Sequence, residues 1–311
     1  MIKLDSFYVK KLATNIGFEK CGISKAVVSD SNIVFFENWL ELGFHADMKY
    51  ISENKQQRIN PSELVENAKS IISVILNYRI AEPFKSENYS ISKYALVTDY
   101  HIVIQHKLEI LLHNLKEKYP YIKARISIDS APVLERYFAM SAGLGFIGKN
   151  TCLINPELGS WVFLGEIITD AEFELYDSPT LYNCGECNKC IDSCPCGALS
   201  ENGLNANKCI SYHTVENKHN IPEHIADKIT DQLFGCDICQ DVCPFNSKNT
   251  STNTQFSDIL GLLEFLKLEE LGNISNREFN RRFANTSLLR SGRKKIIENF
   301  SHLKPQNNSL G

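Results

Sequence analysis

The chain has 311 residues, 43% hydrophobic and 23% charged, with 33 Lys and Arg against 37 Asp and Glu for a formal net charge of -4. This composition excludes a disordered, collagenous or membrane-embedded chain, and it excludes an all-over polybasic nucleic-acid binder while permitting a local basic patch. A chain of this length can fold without a metal or disulfide, and it suggests about two domains of ordinary size.

The N-terminal stretch through Lys20 carries no continuous apolar segment or cleavage pattern, and no apolar run approaches the length of a membrane helix. A soluble, cytoplasmic protein with no membrane partner is expected. Residues 1 to about 170 read as mixed α and β. The β-branched run Ser70–Tyr78 predicts a buried strand, and Tyr100–Tyr119 predicts a helix from Ile104, Leu108, Leu111, Leu112 and Leu115. Ala124–Asp129 and Trp161–Thr169 read as further strands. Between them lie a helix expected to start at Pro132 and a turn containing Gly143, Gly145 and Gly148. Residues 180–246 are cysteine-rich with little periodicity, and the polar stretch 246–254 reads as an exposed loop. From Phe256 to about Leu303 the pattern is helical and basic, with Arg277, Arg281, Arg282, Arg290, Arg293, Lys294 and Lys295 against one acid, Glu278.

Cysteine is the outlier. All but two of the 11, Cys21 and Cys152, lie between Cys184 and Cys243. An odd total clustered in one part of a large chain is not a disulfide scaffold, and in a reducing setting it points to metal. The first run is Cys184-x2-Cys187-x2-Cys190-x3-Cys194-Pro195, the spacing of a bacterial two-cluster ferredoxin, in which the fourth cysteine serves the other cluster. The second is Cys236-x2-Cys239-x3-Cys243-Pro244, with Cys209 upstream. The predicted ligand sets are Cys184, Cys187, Cys190 and Cys243 for one 4Fe–4S cluster, and Cys194, Cys209, Cys236 and Cys239 for the other. A pair of zinc sites is the alternative, and the repeated x3-Cys-Pro step disfavours it. Cys21, Cys152 and Cys196 are expected to pack as small hydrophobes. Two clusters form an electron wire, so substrate chemistry is expected in the first 170 residues.

The runs Asp129-Ser-Ala-Pro-Val-Leu-Glu-Arg136 and Gly143-Leu-Gly-Phe-Ile-Gly-Lys-Asn-Thr151 closely resemble epoxyqueuosine reductases. Met48-Lys-Tyr50 with Arg58, Asp99-Tyr-His101, Cys209-Ile-Ser-Tyr212, the run from Gly235 to Pro244 and that from Arg277 to Arg290 extend the resemblance over nearly the whole chain. It implies an α+β, nitroreductase-like cobalamin-binding domain (1–175), a two-cluster ferredoxin-like domain (176–248) and a helical basic tail (255–311). It further implies reduction of an epoxide on the modified wobble base of tRNA to an alkene, the last step of queuosine synthesis. The cofactors would be cobalamin and two 4Fe–4S clusters, supplied by an external low-potential electron donor.

Within that resemblance Asp129 matches the proton donor, a role for which burial against a corrin would have to raise its pKa. The competing reading makes Asp129 a helix cap. Arg58, Lys149, Asn150 and Thr151 are implied as cobalamin contacts, with the glycine-rich turn close to the corrin. Ser211 and Asp237, beside cluster ligands, are implied where cofactor and cluster approach. Some of Arg277–Lys295 would hold tRNA phosphates. Two departures are Cys196, where the family has a small polar residue, and Phe146, where it often has Trp. Many members continue into helical repeats, so a short form with less tRNA-binding surface is expected, acting as a monomer. The competing functions are a corrinoid reductase of another substrate, such as a dehalogenase, and a non-catalytic electron-transfer protein.

Overall fold

The computed structural model describes residues 3–80, 88–129, 131–248, 252 and 255–304. Ser130 of the Asp129 motif and much of the expected loop at 246–254 therefore lie outside the described residues. Four strands form one antiparallel sheet: β1 (Lys20–Lys25), β2 (Ser70–Asn77), β3 (Ala124–Ser127) and β4 (Val162–Thr169), in the order β1-β2-β4-β3. Every residue of β2 is buried, because the strand is central and both its faces are covered.

Helices α1 (Ser6–Ile16) and α2 (Tyr100–Lys118) cover one face. Asp5 caps α1 by accepting from the Phe7 and Tyr8 N–H groups at 2.9 and 3.0 Å, and Asp99 caps α2 through the His101 N–H. Ile104, Leu108, Leu111 and Leu115 of α2 meet Ile72, Val74 and Ile167 of the sheet, as the helical spacing requires. The other face packs against α3 (Glu135–Ser141), whose Phe138 meets Ile71 and Ile168 and whose Ala139 meets Ile75. This helix starts three residues later than the expected Pro132. Leu134, its cap residue, has ψ 69°, and the Val133 carbonyl is turned toward the Arg58 guanidinium at 3.4 Å rather than into a helical turn.

The tail is helical, including α4 (Asn276–Arg282) and α5 (Gly292–Phe300). It does not stand apart: Leu271, Phe279, Phe283, Leu288 and Ile296 share a core with Ile91, Leu96, Leu233 and Phe234. No helix among the described residues is long and apolar enough to cross a membrane.

Sheet and α3 approach most closely at Gly22 of β1, where an added Cβ would overlap the Ala142 carbonyl. Gly22→Ala is expected to destabilise the cluster-loaded protein by about 1–3 kcal/mol, measured as a lowered thermal midpoint. An unchanged midpoint would show that this contact can relax.

Candidate functional site

Both predicted cysteine sets assemble. Cys184, Cys187, Cys190 and Cys243 line one small cavity of about 40 Å³ with Ile154, Pro244 and Phe245. Among the described residues no three cysteine, histidine or acidic side chains converge on a single metal-ion point. Thiols gathered around a space suit a cluster better than one zinc ion. Backbone N–H groups already face two sulfurs, from Lys149 to Cys184 at 3.5 Å and from Ala198 to Cys194 at 3.3 Å, the kind of contact that tunes a cluster's potential.

In the second set, burial pushes the Cys236 thiol up to about 12, with the neighbouring Cys209 and Cys194 adding to the shift. Burial also raises Cys209, against the pull of the Tyr212 and Ser211 N–H groups. All the cysteines are free. Of the remaining three, Cys21 and Cys196 pack against apolar clusters, with burial pushing their thiols up to about 12 and about 11. Burial raises Cys152 as well, and Cys243 and Cys190 are close enough to contribute.

The residues read as cobalamin contacts have more particular partners. Lys149 donates from Nζ to the Gly185 carbonyl at 3.0 Å and to Asn188 Oδ1 at 2.8 Å, across the first cysteine loop. Buried Asn150 reaches the Cys239 carbonyl at 3.5 Å, and Thr151, at φ 64°, offers its carbonyl to Arg136 at 2.9 Å. Asp237 accepts the Lys93 N–H at 2.7 Å and pairs with Lys93 Nζ at 3.7 Å, while Ser211 is half-buried beside Cys209. The glycine-rich turn is explained within the protein. A Cβ on Gly145 would strike the Ile154 backbone, one on Gly148 the Ile154 and Asn150 side chains, and Gly143 holds φ 73° under the Ser178 carbonyl. Each of these glycines is required by the chain's own packing. Arg58 is different: it is buried, its Nη1 reaches Val133, and its Nε has no partner among the described residues.

Asp129 closes a short polar array at the start of α2. It stands at φ 41°, in the left-handed region, just past β3. His101 Nδ1 lies 2.8 Å from Asp99 Oδ1, and His101 Nε2 lies 3.4 Å from Asp129 Oδ2, an ion-pair separation without hydrogen-bond alignment. The two carboxylates push His101 up to about 9, Asp129 contributing most. Burial pushes the Asp129 carboxyl up, but His101 and the Tyr100 hydroxyl outweigh it, and the group sits below the usual carboxylate value. This reverses the expectation of a raised Asp129: in this arrangement the histidine carries the proton. Asp129 is also no helix cap, since α3 begins at Glu135 with Leu134 as its cap residue; the Asp129 N–H donates to the Glu135 carboxylate. His101 is the functional residue that sequence reasoning passed over, although the motif Asp99-Tyr-His101 pointed to it.

A second cavity, of about 560 Å³, is lined by Asp47, Met48, Lys49, Tyr50, Tyr212, Glu216 and Arg290, among others. The charges of Asp129 and Arg58 are felt at Tyr50, one of its lining residues. Of the basic tail, Arg290 is clamped by Glu216 at 2.8 and 2.9 Å, Arg281 and Arg282 pair with Glu278, and Arg293 binds Asn276 and the Leu271 carbonyl. Lys295 is buried and held by Glu298 and the His219 carbonyl. Arg277 and Lys294 are exposed and carry no ion pair among the described residues.

Residues 58–130 match the family described as Epoxyqueuosine reductase QueG, DUF1730, and residues 183–246 match the 4Fe-4S double cluster binding domain. The epoxyqueuosine reductase of Leadbetterella byssophila is 42% identical over 239 residues, covering 77% of this chain and 79% of that one. That of Cellulophaga algicola is 37% identical over 298 residues, covering 95% and 97%. A solved epoxyqueuosine reductase with a tRNA-Tyr epoxyqueuosine-modified stem loop is similar at a TM-score of 0.85 and 32% identity, over 95% of this chain and 80% of that one. The enzyme from Bacillus subtilis, with its catalytic loop swung out of the active site, is similar at 0.80 and 31%, over the same shares.

Cys243→Ser should cost the first cluster alone, halving iron and sulfide content after anaerobic reconstitution, whereas Cys196→Ser should leave both at the wild-type level. Equal losses from both substitutions would overturn the ligand sets.

Proposed function

From the premise that the chain belongs to the epoxyqueuosine reductase family, we propose that it reduces the epoxide of epoxyqueuosine in tRNA to the alkene of queuosine, releasing the oxygen as water. Two C–O bonds break and one C=C bond forms, so each turnover takes up two electrons and two protons. The observation that carries this reading is the Asp99–His101–Asp129 array, whose Asp129 charge is felt at Tyr50 of the open cavity. An alkoxide is a poor leaving group near neutral pH, and an acid positioned at the oxygen removes that barrier. His101 holds the proton, Asp99 fixes its ring through Nδ1, and Asp129 receives the proton from Nε2 and presents it to the substrate.

The match to a double-cluster domain supports an electron path through two 4Fe–4S clusters from an external low-potential donor. Cobalamin fits this chain as the group between clusters and substrate: Arg58 offers a buried, unpartnered Nε, and the cavity at Tyr50 is roomy. When bound, it would supply a cobalt centre able to hand electrons to carbon. Lys149, Asn150 and Thr151 then act by holding the cysteine loops beside it, and Ser211 and Asp237 mark the flank nearest the second cluster. We take residues 1–175, on a nitroreductase-like plan, as the substrate-handling part, 176–248 as the electron-carrying part and 255–311 as the tRNA-facing part. We take the protein as a monomer working in the reducing cytoplasm, a compartment that suits cysteines without disulfides. The stem-loop complex of the related enzyme supports tRNA as the partner, and Arg277 and Lys294 are the cations free to meet its phosphates.

The test is anaerobic turnover on tRNA bearing epoxyqueuosine, with clusters loaded and cobalamin added, followed by digestion and mass spectrometry. A nucleoside one oxygen lighter is expected, and its absence from intact holoenzyme would sink the substrate assignment. Asp129→Asn should lower kcat by about 10²–10⁴-fold with clusters retained. Since the acid form of His101 is present below its raised pKa and lost above it, kcat should be level through neutral pH and fall as pH rises through about 9. Replacing Arg277 and Lys294 together by Ala should raise KM for tRNA and flatten its salt dependence by about two phosphate contacts, with kcat unchanged.

A further inference from the structure

Behind Asp129 the sheet contains a row of polar groups that the array does not use. Glu166 of β4 is directly across from Ser73 of β2 on one side and Ser127 of β3 on the other. All three are at most 1% exposed, and both Glu166 carboxyl oxygens and both serine hydroxyls lack a partner among the described residues. Side chains at paired positions share a face of the sheet, and the flanking residues Ile71, Ile75 and Ile168 place this row on the α3 side.

A carboxylate taken out of water without a partner costs several kcal/mol, so such a group holds its proton instead. The charged neighbours reinforce this. Glu135 of α3 and Asp129 of the following loop both act on Glu166, and burial with their negative charge holds it well above the usual carboxylate range. Arg58, from the short helix Lys55–Ile59, and Arg136, beside Glu135 on α3, are the facing cations. Both act on Glu135, which burial and then Asp129 nevertheless raise to about 7. Two carboxyls in this proximity cannot both ionise, and they titrate as a pair. The pair touches the active loop, because Glu135 accepts the Asp129 N–H.

We propose that Glu166 is a positioning residue that stores the second proton of the reaction, delivering it through Glu135 to the Asp129 site after His101 has given the first. This rests on the proposed epoxide reduction, whose two protons per turnover exceed what a single histidine–aspartate pair can supply without reloading. In balance, two electrons from the external low-potential donor and one proton from each store convert the epoxide to an alkene and one water. Both stores then refill from solvent.

Two measurements on the cluster-loaded full chain test it. The first is infrared spectroscopy at pH 8 without substrate. A D2O-sensitive band of a neutral carboxylic acid is expected in wild type and in Glu135→Gln, and its loss in Glu166→Gln. No such band in wild type would overturn the proposal whatever the substrate proves to be, and it needs no variant to fold. The second is the pH profile of kcat. With Glu166 replaced by Gln, only Glu135 remains to hold the stored proton. Turnover should then fall about tenfold per pH unit above about 7, rather than from about 9 as in wild type, and the deficit should shrink as pH is lowered to 6. A profile superimposable on wild type, or one scaled down equally at every pH, would overturn the relay. Failure of wild type to turn over epoxyqueuosine, with the infrared band present, would count against the substrate reading and leave the stored proton standing.

Discussion

Gathering eight thiols in two half-buried shells is the constraint on which the rest of the structure depends. Burial opposes it at Cys190, Cys209, Cys236, Cys239 and Cys243, whose thiols it makes harder to ionise, and iron needs thiolates. The loops must therefore be held by something other than sulfur. Asn246, itself buried, accepts the Ser160 N–H at 2.7 Å and donates to the Gln240 carbonyl at 2.7 Å, fastening the second cysteine run to the segment that leads into β4. Asp237 fastens the same run to Lys93, and Lys149 fastens the first run across Gly185 and Asn188. These polar clasps let the ligand sets stand close while the charge that would bind metal is still absent.

The proton side of the molecule solves the opposite problem, keeping charge where water would disperse it. His101 is pushed toward its charged form because two carboxylates face its two ring nitrogens, and Glu166 is pushed toward its neutral form by burial without a hydrogen-bond partner among the described residues and by the charges of Glu135 and Asp129. One group is charged by its neighbours and the other is discharged by burial, although Asp129 acts on both. A pair of environments that push neighbouring titratable groups apart is how a fold assigns acid and base roles.

Local features of the sequence carried much of this. The apolar, β-branched runs gave β2 and β4 within a residue of their ends, the leucine spacing gave α2, and the cysteine spacing gave a first ligand set that lines one cavity. What escaped depends on contacts between distant segments. The start of α3 shifts because Arg58, 75 residues away from Val133, competes for its carbonyl. The glycine-rich turn owes its glycines to Ile154 and Ser178, which no local pattern reveals. The basic tail reads as a surface for phosphates, yet buried Lys295 and clamped Arg290 hold it to the 214–219 region. Glu166 did leave a signal, an acid inside the apolar run Phe163–Ile168, where a strand buried on both faces has no ordinary use for a charge.

The Asp129 loop and the turn that reaches the cysteine loops meet at the start of α3. Glu135 takes the Asp129 N–H, while the next residue, Arg136, donates to the carbonyl of Thr151 in the turn between Lys149 and Cys152. That turn is the one whose Lys149 and Asn150 reach the two cysteine loops. Both linked residues, Asp129 and Thr151, hold left-handed backbone angles that cost about 1–3 kcal/mol each in a non-glycine residue. Such strain persists only where the surroundings impose it, and here two adjacent side chains of one helix do so. The acid loop and the cluster turn are thereby fixed to a common rigid element, so a shift of either loop would have to break its bond to α3. On the proposed reaction, the acid loop that serves the oxygen and the cysteine loops that feed electrons toward carbon are thereby tied to one helix.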